Sequence, residues 1–131
     1  MIFVDSNVFM YAVGRSHPLR DEAQTFFVDS RKKNAVLVTS TEVLQELMHV
    51  YLPVGRMQTL DAALELATGT LDRVFSIDPD SVLFARRLVE QYPALTARDL
   101  LHLSVCQIHK VEDIKTFDRN LRAAFAKRKI R

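Results

Sequence analysis

The sequence has few of the features that secreted and membrane-bound proteins use. Its 131 residues include one cysteine, Cys106, so an internal disulfide is excluded and a thiolate metal site is not expected. No apolar run is long enough to span a bilayer. The N-terminus has no basic stretch followed by an apolar one, so we expect no signal peptide. We therefore expect a cytoplasmic protein, with Cys106 in its core.

Glycine and proline are also scarce, with three and four residues scattered along the chain. They are not gathered into a linker, and the sequence has neither an internal repeat nor a low-complexity segment. Hydrophobic residues make up 48% and charged residues 26% of the chain, which is typical of a soluble globular protein. At this length we expect a single domain over residues 1–131.

Positive and negative side chains nearly balance over the whole chain, since the formal net charge is +2. The distribution is less even, because residues 119–131 contain no acid and six basic side chains: Arg119, Arg122, Lys127, Arg128, Lys129 and Arg131. Such a segment attracts phosphates. It is equally typical of a solvated, partly frayed C-terminus, and both interpretations stay open here.

Short apolar runs alternate with amphipathic segments along the chain. The runs predict buried strands at residues 2–4, 35–38, 73–77 and 114–117. Helical periodicity predicts helices at residues 19–33, 41–52, 57–67, 79–91, 96–109 and 119–127. This alternation predicts an α/β fold, a three-layer α/β/α sandwich with a central, mostly parallel sheet. Ligands of such sheets bind at the carboxyl ends of the strands.

Three aspartates are candidates for a site at that edge. Asp5 directly follows the first predicted strand and Asp118 the last, although an Asp in either place is also typical of a helix cap. Asp99 belongs to Thr96-Ala97-Arg98-Asp99, which has the form of a capping box. The helix that it opens is almost wholly apolar, so Asp99 is expected at the mouth of a buried helix.

The fourth candidate is Glu42 or Glu46, one helical turn apart. At about 100° per residue, Glu46 lies roughly 100° from the centre of the apolar arc and Glu42 roughly 140°. Glu46 is therefore nearer the core and is preferred. Four carboxylates at one edge repel one another unless a cation compensates them. Oxygen ligands, without histidines and cysteines at zinc spacing, favour Mg²⁺ or Mn²⁺, which can activate water against a phosphodiester.

Four segments carry a family resemblance in their order along the chain. They are Ile2-Phe3-Val4-Asp5-Ser6-Asn7-Val8, Ser40-Thr41-Glu42-Val43-Leu44-Gln45-Glu46-Leu47, Ala97-Arg98-Asp99-Leu100-Leu101-His102-Leu103 and Ile114-Lys115-Thr116-Phe117-Asp118-Arg119. Together they resemble PIN-domain proteins, and specifically the VapC-type toxins of toxin–antitoxin pairs. Ser6 stands where Thr is frequent in that family, with the hydroxyl kept.

The resemblance implies an endoribonuclease whose Mg²⁺ or Mn²⁺ is held by four acids, Asp5, Glu46, Asp99 and Asp118. It implies that Ser6, Asn7 and Thr116 lie beside these acids and orient carboxylates or waters. It also implies an RNA substrate, a homodimer, and a cognate antitoxin that occludes the site.

Two other functions remain open at this point. A phosphatase with an Asp nucleophile is less favoured, because a second Asp is expected two residues after the first and position 7 is Asn. A PIN-like module that binds RNA or a partner without cutting is less favoured because all four acids are present. His102 follows Asp99 by three residues and could contact a phosphate or a carboxylate. It lies in an apolar run, however, and is predicted to be a hydrogen-bonded core residue. The apolar stretch at residues 47–57 is interpreted as core rather than as a partner-facing surface.

Overall fold

A computed structural model describes residues 1–130 of the chain and, for residues 129 and 130, the backbone only. The described residues form four strands: β1 (Ile2–Val4), β2 (Leu37–Ser40), β3 (Arg73–Phe75) and β4 (Asp113–Lys115). They also form seven helices: α1 (Ser6–Val13), α2 (Pro18–Lys32), α3 (Thr41–Tyr51), α4 (Met57–Thr70), α5 (Pro79–Arg87), α6 (Ala97–Ile108) and α7 (Arg119–Ile130).

The four strands make one parallel sheet in the order β3-β2-β1-β4. Ile2 of β1 pairs with Leu37 of β2 on one side and with Asp113 of β4 on the other. Phe3 and Val38 in the two central strands are fully buried, as expected when helices cover both faces of a parallel sheet. The predicted three-layer α/β/α sandwich is therefore confirmed.

The carboxyl ends of all four strands meet at one edge, because every strand pair is parallel. Asp5 follows β1 there and donates its backbone N–H to the carbonyl of Lys115, the last residue of β4 (3.0 Å). Helix α1 begins at Ser6 and helix α3 at Thr41, immediately after β1 and β2 end. The edge thus brings together residues that are far apart in sequence.

Helix α1 is absent from the sequence prediction, which has no element between residues 4 and 19. It is eight residues long, and helices this short are marginal without tertiary contacts. Asp5 caps it by accepting the N–H of Ser6. Gly14 caps its C-terminus, and a Cβ atom at Gly14 would lie 2.7 Å from the carbonyl oxygen of Met10. Packing against α2 and α4 stabilises a helix that its own sequence specifies weakly.

Several predicted element ends are displaced in the structure. Strand β2 reaches Ser40, because Thr39 pairs within the sheet and its hydroxyl donates to the carbonyl of Val4 (2.8 Å). Strand β4 ends at Lys115, opposite Val4, so Thr116 lies beyond the strand and next to Asp5. Helix α5 ends at residue 87 rather than at 91, and β3 ends at residue 75 rather than at 77.

The basic C-terminal segment is folded rather than frayed over the described residues. It continues as α7, and Arg128 donates from Nη2 to the carbonyl of Val111 (2.9 Å) while its guanidinium lies 4.2 Å from the ring centroid of Phe125. Arg122 donates to the carbonyl of Thr116. Two of the six basic side chains therefore take part in packing. Arg131 and the side chain of Lys129 lie outside the described residues.

Two further expectations concern apolar residues. Cys106 is fully buried, as predicted. The stretch at residues 47–57 is core only in part, since Leu47 is buried but Met48, Leu52 and Val54 are about half exposed or more, at 46%, 54% and 66%. Among the described helices, none combines the length and the apolar character that crossing a membrane requires.

Candidate metal and active site

Asp5 lies at the floor of the candidate site, between β1 and α1, and is buried. Its Oδ1 accepts the backbone N–H of Ser6 (2.8 Å), and its Oδ2 accepts the hydroxyl of Thr116 (2.7 Å) and a longer bond from Asn7 Nδ2 (3.4 Å). Asn7 also accepts the N–H of Phe117 (3.2 Å). The structure thus places Ser6, Asn7 and Thr116 around one carboxylate, and their hydrogen bonds determine the orientation of its two oxygens.

Glu46 reaches the same place from α3. Its Oε1 is buried, lacks a hydrogen-bond partner among the described residues, and lies 3.7 Å from Nε2 of His102. Its Oε2 lies 3.7 Å from Nη1 of Arg98. Burial opposes ionisation of Glu46, but the pKa is lowered because His102, the Ser6 hydroxyl and the Arg98 charge together outweigh burial. Glu46 is therefore an ionised carboxylate that lies between His102 and Arg98.

His102 is the residue of the site that the sequence reasoning missed. Its side chain is buried as predicted, but its Nε2 faces two acids, at 3.6 Å from Asp5 Oδ1 and 3.7 Å from Glu46 Oε1. Burial opposes protonation of the imidazole, yet its pKa is raised because Glu46 and Asp5 favour the charged form. The available signal was its spacing, since His102 is the third residue after Asp99 and so lies on the same face of α6.

Asp99 and Asp118 come from the first turn of α6 and from the segment after β4. Both are partly buried. Burial raises the pKa of Asp99, and the nearby negative charges of Asp118 and Asp5 raise it further. This mutual influence means that the three aspartates share one electrostatic environment. The structure therefore brings all four predicted acids to the same edge, although only Asp5 and Glu46 offer ligand atoms in the tight group described below.

The capping interpretations of the aspartates are partly correct. Asp118 accepts the N–H of Leu121 through Oδ1 (3.0 Å) and so caps α7, as Asp5 caps α1. Thr96 caps α6 by accepting the N–H of Asp99 (3.2 Å). The reciprocal bond of a capping box, from the Thr96 amide to the Asp99 carboxylate, is not formed among the described residues. The Thr96 side chain also acts on the Asp99 carboxylate and lowers its pKa, but burial and the neighbouring acids outweigh this effect.

The donor set fits a divalent cation. Asp5, Glu46 and His102 each offer a ligand atom, and these atoms all lie within 4.8 Å of one another. Ligands bound to one ion at about 2.1 Å lie about 3 Å apart when adjacent and about 4 Å apart when opposite. The unpartnered Oε1 of Glu46 is a buried acceptor that a cation would satisfy. Asp99 and Asp118 add negative charge at the more open side of the group.

Comparison with known proteins agrees with this geometry. Residues 2–126 match the model of the PIN domain family. Ribonuclease VapC23 of Mycobacterium tuberculosis is 52% identical over 125 residues, which are 95% of this chain and 98% of that protein. Ribonuclease VapC13 of the same species is 39% identical over 119 residues, 91% of each chain. The crystal structure of M. tuberculosis VapC20, a sarcin–ricin-loop-cleaving toxin, superposes with a TM-score of 0.80 over 95% of each chain at 20% identity, which shows the shared fold.

The chain therefore belongs to the PIN-domain family and, within it, to the VapC ribonucleases. The predicted family is confirmed by these relatives, which match nearly the whole of the chain and are themselves nearly wholly covered.

Proposed function

We propose that this protein hydrolyses RNA phosphodiester bonds at a divalent-metal site formed by Asp5, Glu46, Asp99 and Asp118. The observation that carries the proposal is the position of these acids. They come from four separate places in the sequence and lie at one sheet edge. Atoms of Asp5 and Glu46 belong to one group within 4.8 Å, and the buried Oε1 of Glu46 makes no hydrogen bond among the described residues. Such an arrangement is costly without a compensating cation.

Membership of the VapC ribonucleases makes the chain an endoribonuclease toxin. The two relatives compared above are themselves named ribonucleases. The identity of the metal is part of our proposal. Oxygen donors predominate among the candidate ligands, and hard divalent ions such as Mg²⁺ and Mn²⁺ prefer them. When bound, such an ion supplies an activated water and neutralises negative charge on the scissile phosphate.

The protein's own groups have distinct tasks around that ion. Thr116 and Ser6 hold the two oxygens of Asp5 in place through hydrogen bonds of 2.7 and 2.8 Å. His102 is buried, and its Nε2 lies 3.6 Å from Asp5 and 3.7 Å from Glu46, where the imidazole favours the ionised form of Glu46. Asp99 and Asp118 are partly buried and bring two further carboxylates to the same edge, where they would complete the ligand set.

The partners that we propose are an RNA substrate, a cognate antitoxin protein and a second copy of the chain, and the compartment is the cytoplasm. Exposed apolar side chains are consistent with protein partners. They lie around the end of α3 and on α5, and include Met48, Leu52, Val54, Val82 and Leu83. Sedimentation velocity of the purified chain, alone and with its antitoxin, tests both assemblies. A monomer at all concentrations contradicts the homodimer.

The activity is tested by incubating labelled structured RNAs with the purified protein and Mg²⁺, Mn²⁺ or EDTA. Asp5→Asn and Glu46→Gln are the test variants, and Asp61→Asn and Glu65→Gln, at exposed positions of α4, are matched controls. We expect metal-dependent cutting that both controls retain and that both test variants lose by more than about 100-fold, beyond the usual effect of a residue that only supports a ligand. Binding of RNA without cutting in any metal would instead favour an inactive PIN-like binding module.

A further inference from the structure

Arg98 stands beside the candidate site and has no role in the function proposed above. It is the second residue of α6 and directly precedes Asp99. Its Nε donates to Oε1 of Glu42 (3.1 Å), and its Nη1 lies 3.7 Å from Oε2 of Glu46, beyond hydrogen-bond distance. The guanidinium therefore lies between two glutamates of α3 that are one helical turn apart.

Most of the hydrogen-bonding capacity of Arg98 is unused. A guanidinium has five N–H donors in a planar fork that matches two oxygens of a phosphate. Among the described residues, the bond from Nε to Glu42 is the one side-chain hydrogen bond that Arg98 makes. The side chain is 36% exposed, so solvent reaches part of it beside the site.

Arg98 also differs from the other basic residues in its contact with the acids of the site. Among the described residues, no other Arg and no Lys forms an ion pair with Asp5, Glu46, Asp99 or Asp118. A phosphate chain that approaches four acids meets strong repulsion, and a cation at the rim offsets it. Two basic side chains of α7 are less suited to this task, since Arg122 and Arg128 donate to backbone carbonyls elsewhere.

Glu42 explains why Arg98 does not close onto Glu46. A free guanidinium next to a carboxylate tends to form a two-bond pair, and such a pair on Glu46 would compete with the metal. Glu42 holds Nε at 3.1 Å, while Nη1 remains 3.7 Å from Glu46. The two glutamates of α3 therefore have different tasks, although they are neighbours on one helix.

We propose that Arg98 binds a backbone phosphate of the RNA beside the scissile bond, and that Glu42 is the positioning residue that holds Arg98 off Glu46. This inference rests on the nuclease function proposed above and adds a specific substrate contact to it.

The phosphate contact is tested by fluorescence anisotropy with a fluorescein-labelled RNA hairpin, using Ca²⁺ as the metal and gels to verify that the RNA stays intact. We expect Arg98→Ala to weaken binding about tenfold and to reduce the slope of log affinity against log salt by about 0.7, the contribution of one phosphate contact on single-stranded nucleic acid. Arg98→Lys should keep the slope but not the full affinity, because the charge remains and the fork is lost.

Arg73→Ala is the matched control, since Arg73 is an exposed arginine at the start of β3, on the opposite edge of the sheet. It should leave both the affinity and the slope unchanged. If Arg98→Ala behaves like Arg73→Ala, the phosphate contact is wrong.

The positioning role of Glu42 is tested by Mn²⁺ titration followed by electron paramagnetic resonance. We expect Glu42→Gln to weaken Mn²⁺ binding about tenfold, as loss of a supporting partner does, because Arg98 is then free to pair with Glu46. Arg98→Ala should bind Mn²⁺ at least as well as the wild type, since it removes a competing cation. The double variant should match Arg98→Ala within about twofold.

An equal effect of Glu42→Gln with and without Arg98 would overturn the positioning role. The two levels of the proposal fail in different ways. A wild-type protein that binds neither Mn²⁺ nor RNA contradicts the nuclease site itself, whereas a wild-type protein that binds both, with Arg98 variants like the control, contradicts only this inference.

Discussion

Replacement of Thr116 by Val tests how the site holds Asp5. The hydroxyl of Thr116 is fully buried, donates to Asp5 Oδ2 at 2.7 Å and accepts the backbone N–H of Asp118 at 3.0 Å. Val has almost the same shape but can make neither bond. The substitution therefore removes these two hydrogen bonds, and a longer one that Asn7 Nδ2 donates to the hydroxyl (3.4 Å), while leaving the packing nearly unchanged.

The loss can be estimated bond by bond. A buried hydrogen bond to a charged group contributes about 1.5–3 kcal/mol and an ordinary one about 1 kcal/mol. With partial compensation by Asn7, which also reaches Asp5, we expect the free energy of unfolding to fall by about 2–4 kcal/mol in EDTA. An unfolding entropy of about 2.1 cal/mol/K per residue makes this a decrease in Tm of roughly 7–15 °C. Asp5 is then less well oriented, so Mn²⁺ affinity should fall about 10- to 100-fold.

The assay is urea unfolding in EDTA followed by calorimetric Mn²⁺ titration, with Thr116→Ser as the matched control. Ser keeps the hydroxyl and loses one methyl group, which costs about 1 kcal/mol. If the Thr116→Val and Thr116→Ser variants are equally destabilised and bind Mn²⁺ equally well, the hydroxyl does not support Asp5 and the reasoning is refuted.

Three further predictions concern pH, the imidazole and the backbone. Asp99 has a pKa raised chiefly by burial and then by Asp118 and Asp5, so its ionised form destabilises the metal-free fold, and this cost grows as pH rises through the folded-state pKa. Urea unfolding in EDTA should therefore show Asp99→Asn gaining stability over the wild type between acidic and neutral pH, and a gap that does not change with pH would contradict this. His102→Leu should raise the pKa of Glu46, because the imidazole is a main cause that lowers it. Carboxyl ¹³C NMR measures this pKa. An unchanged value would mean that Arg98 and Ser6 alone keep it low. Gly14→Ala should destabilise the fold by about 1–3 kcal/mol, since its Cβ would lie 2.7 Å from the Met10 carbonyl. Gly69→Ala, with open space in α4, should be neutral or stabilising by up to about 1 kcal/mol, and thermal unfolding that ranks the two variants the other way would show the steric argument to be wrong.

Sequence reasoning predicts that Asp5 and Asp118 lie at one sheet edge because strand order alone brings them together. Asp5 directly follows β1, and Asp118 closely follows β4. These strands are parallel neighbours, so the two acids come together through strand order and not through side-chain detail. The preference for Glu46 over Glu42 also agrees with the structure, in which Glu46 faces His102 and Asp5. Burial does not separate the two residues, since their side chains are 24% and 22% exposed, and their contacts do: Glu42 pairs with Arg98, whereas Glu46 reaches His102.

The features that sequence reasoning missed depend on contacts between distant elements. A buried His in an apolar run has the same pattern whether it packs against carbon atoms or faces two carboxylates, so the contacts of His102 could not be read from α6 alone. Helix α1 is too short for its periodicity to be decisive. The end of β4 at Lys115 is determined by its register with β1, which only the folded sheet defines.

We propose that four acids, distant in sequence, form a divalent-metal site. Calorimetric titration of Mn²⁺ into the wild type and into Asp5→Asn, Glu46→Gln, Asp99→Asn and Asp118→Asn tests it most directly. We predict a saturable site in the wild type and weaker binding in every variant by at least about tenfold, with the exposed Asp61→Asn unchanged. Wild-type affinity in two or more of the four variants, or no binding by the wild type, would contradict the claim.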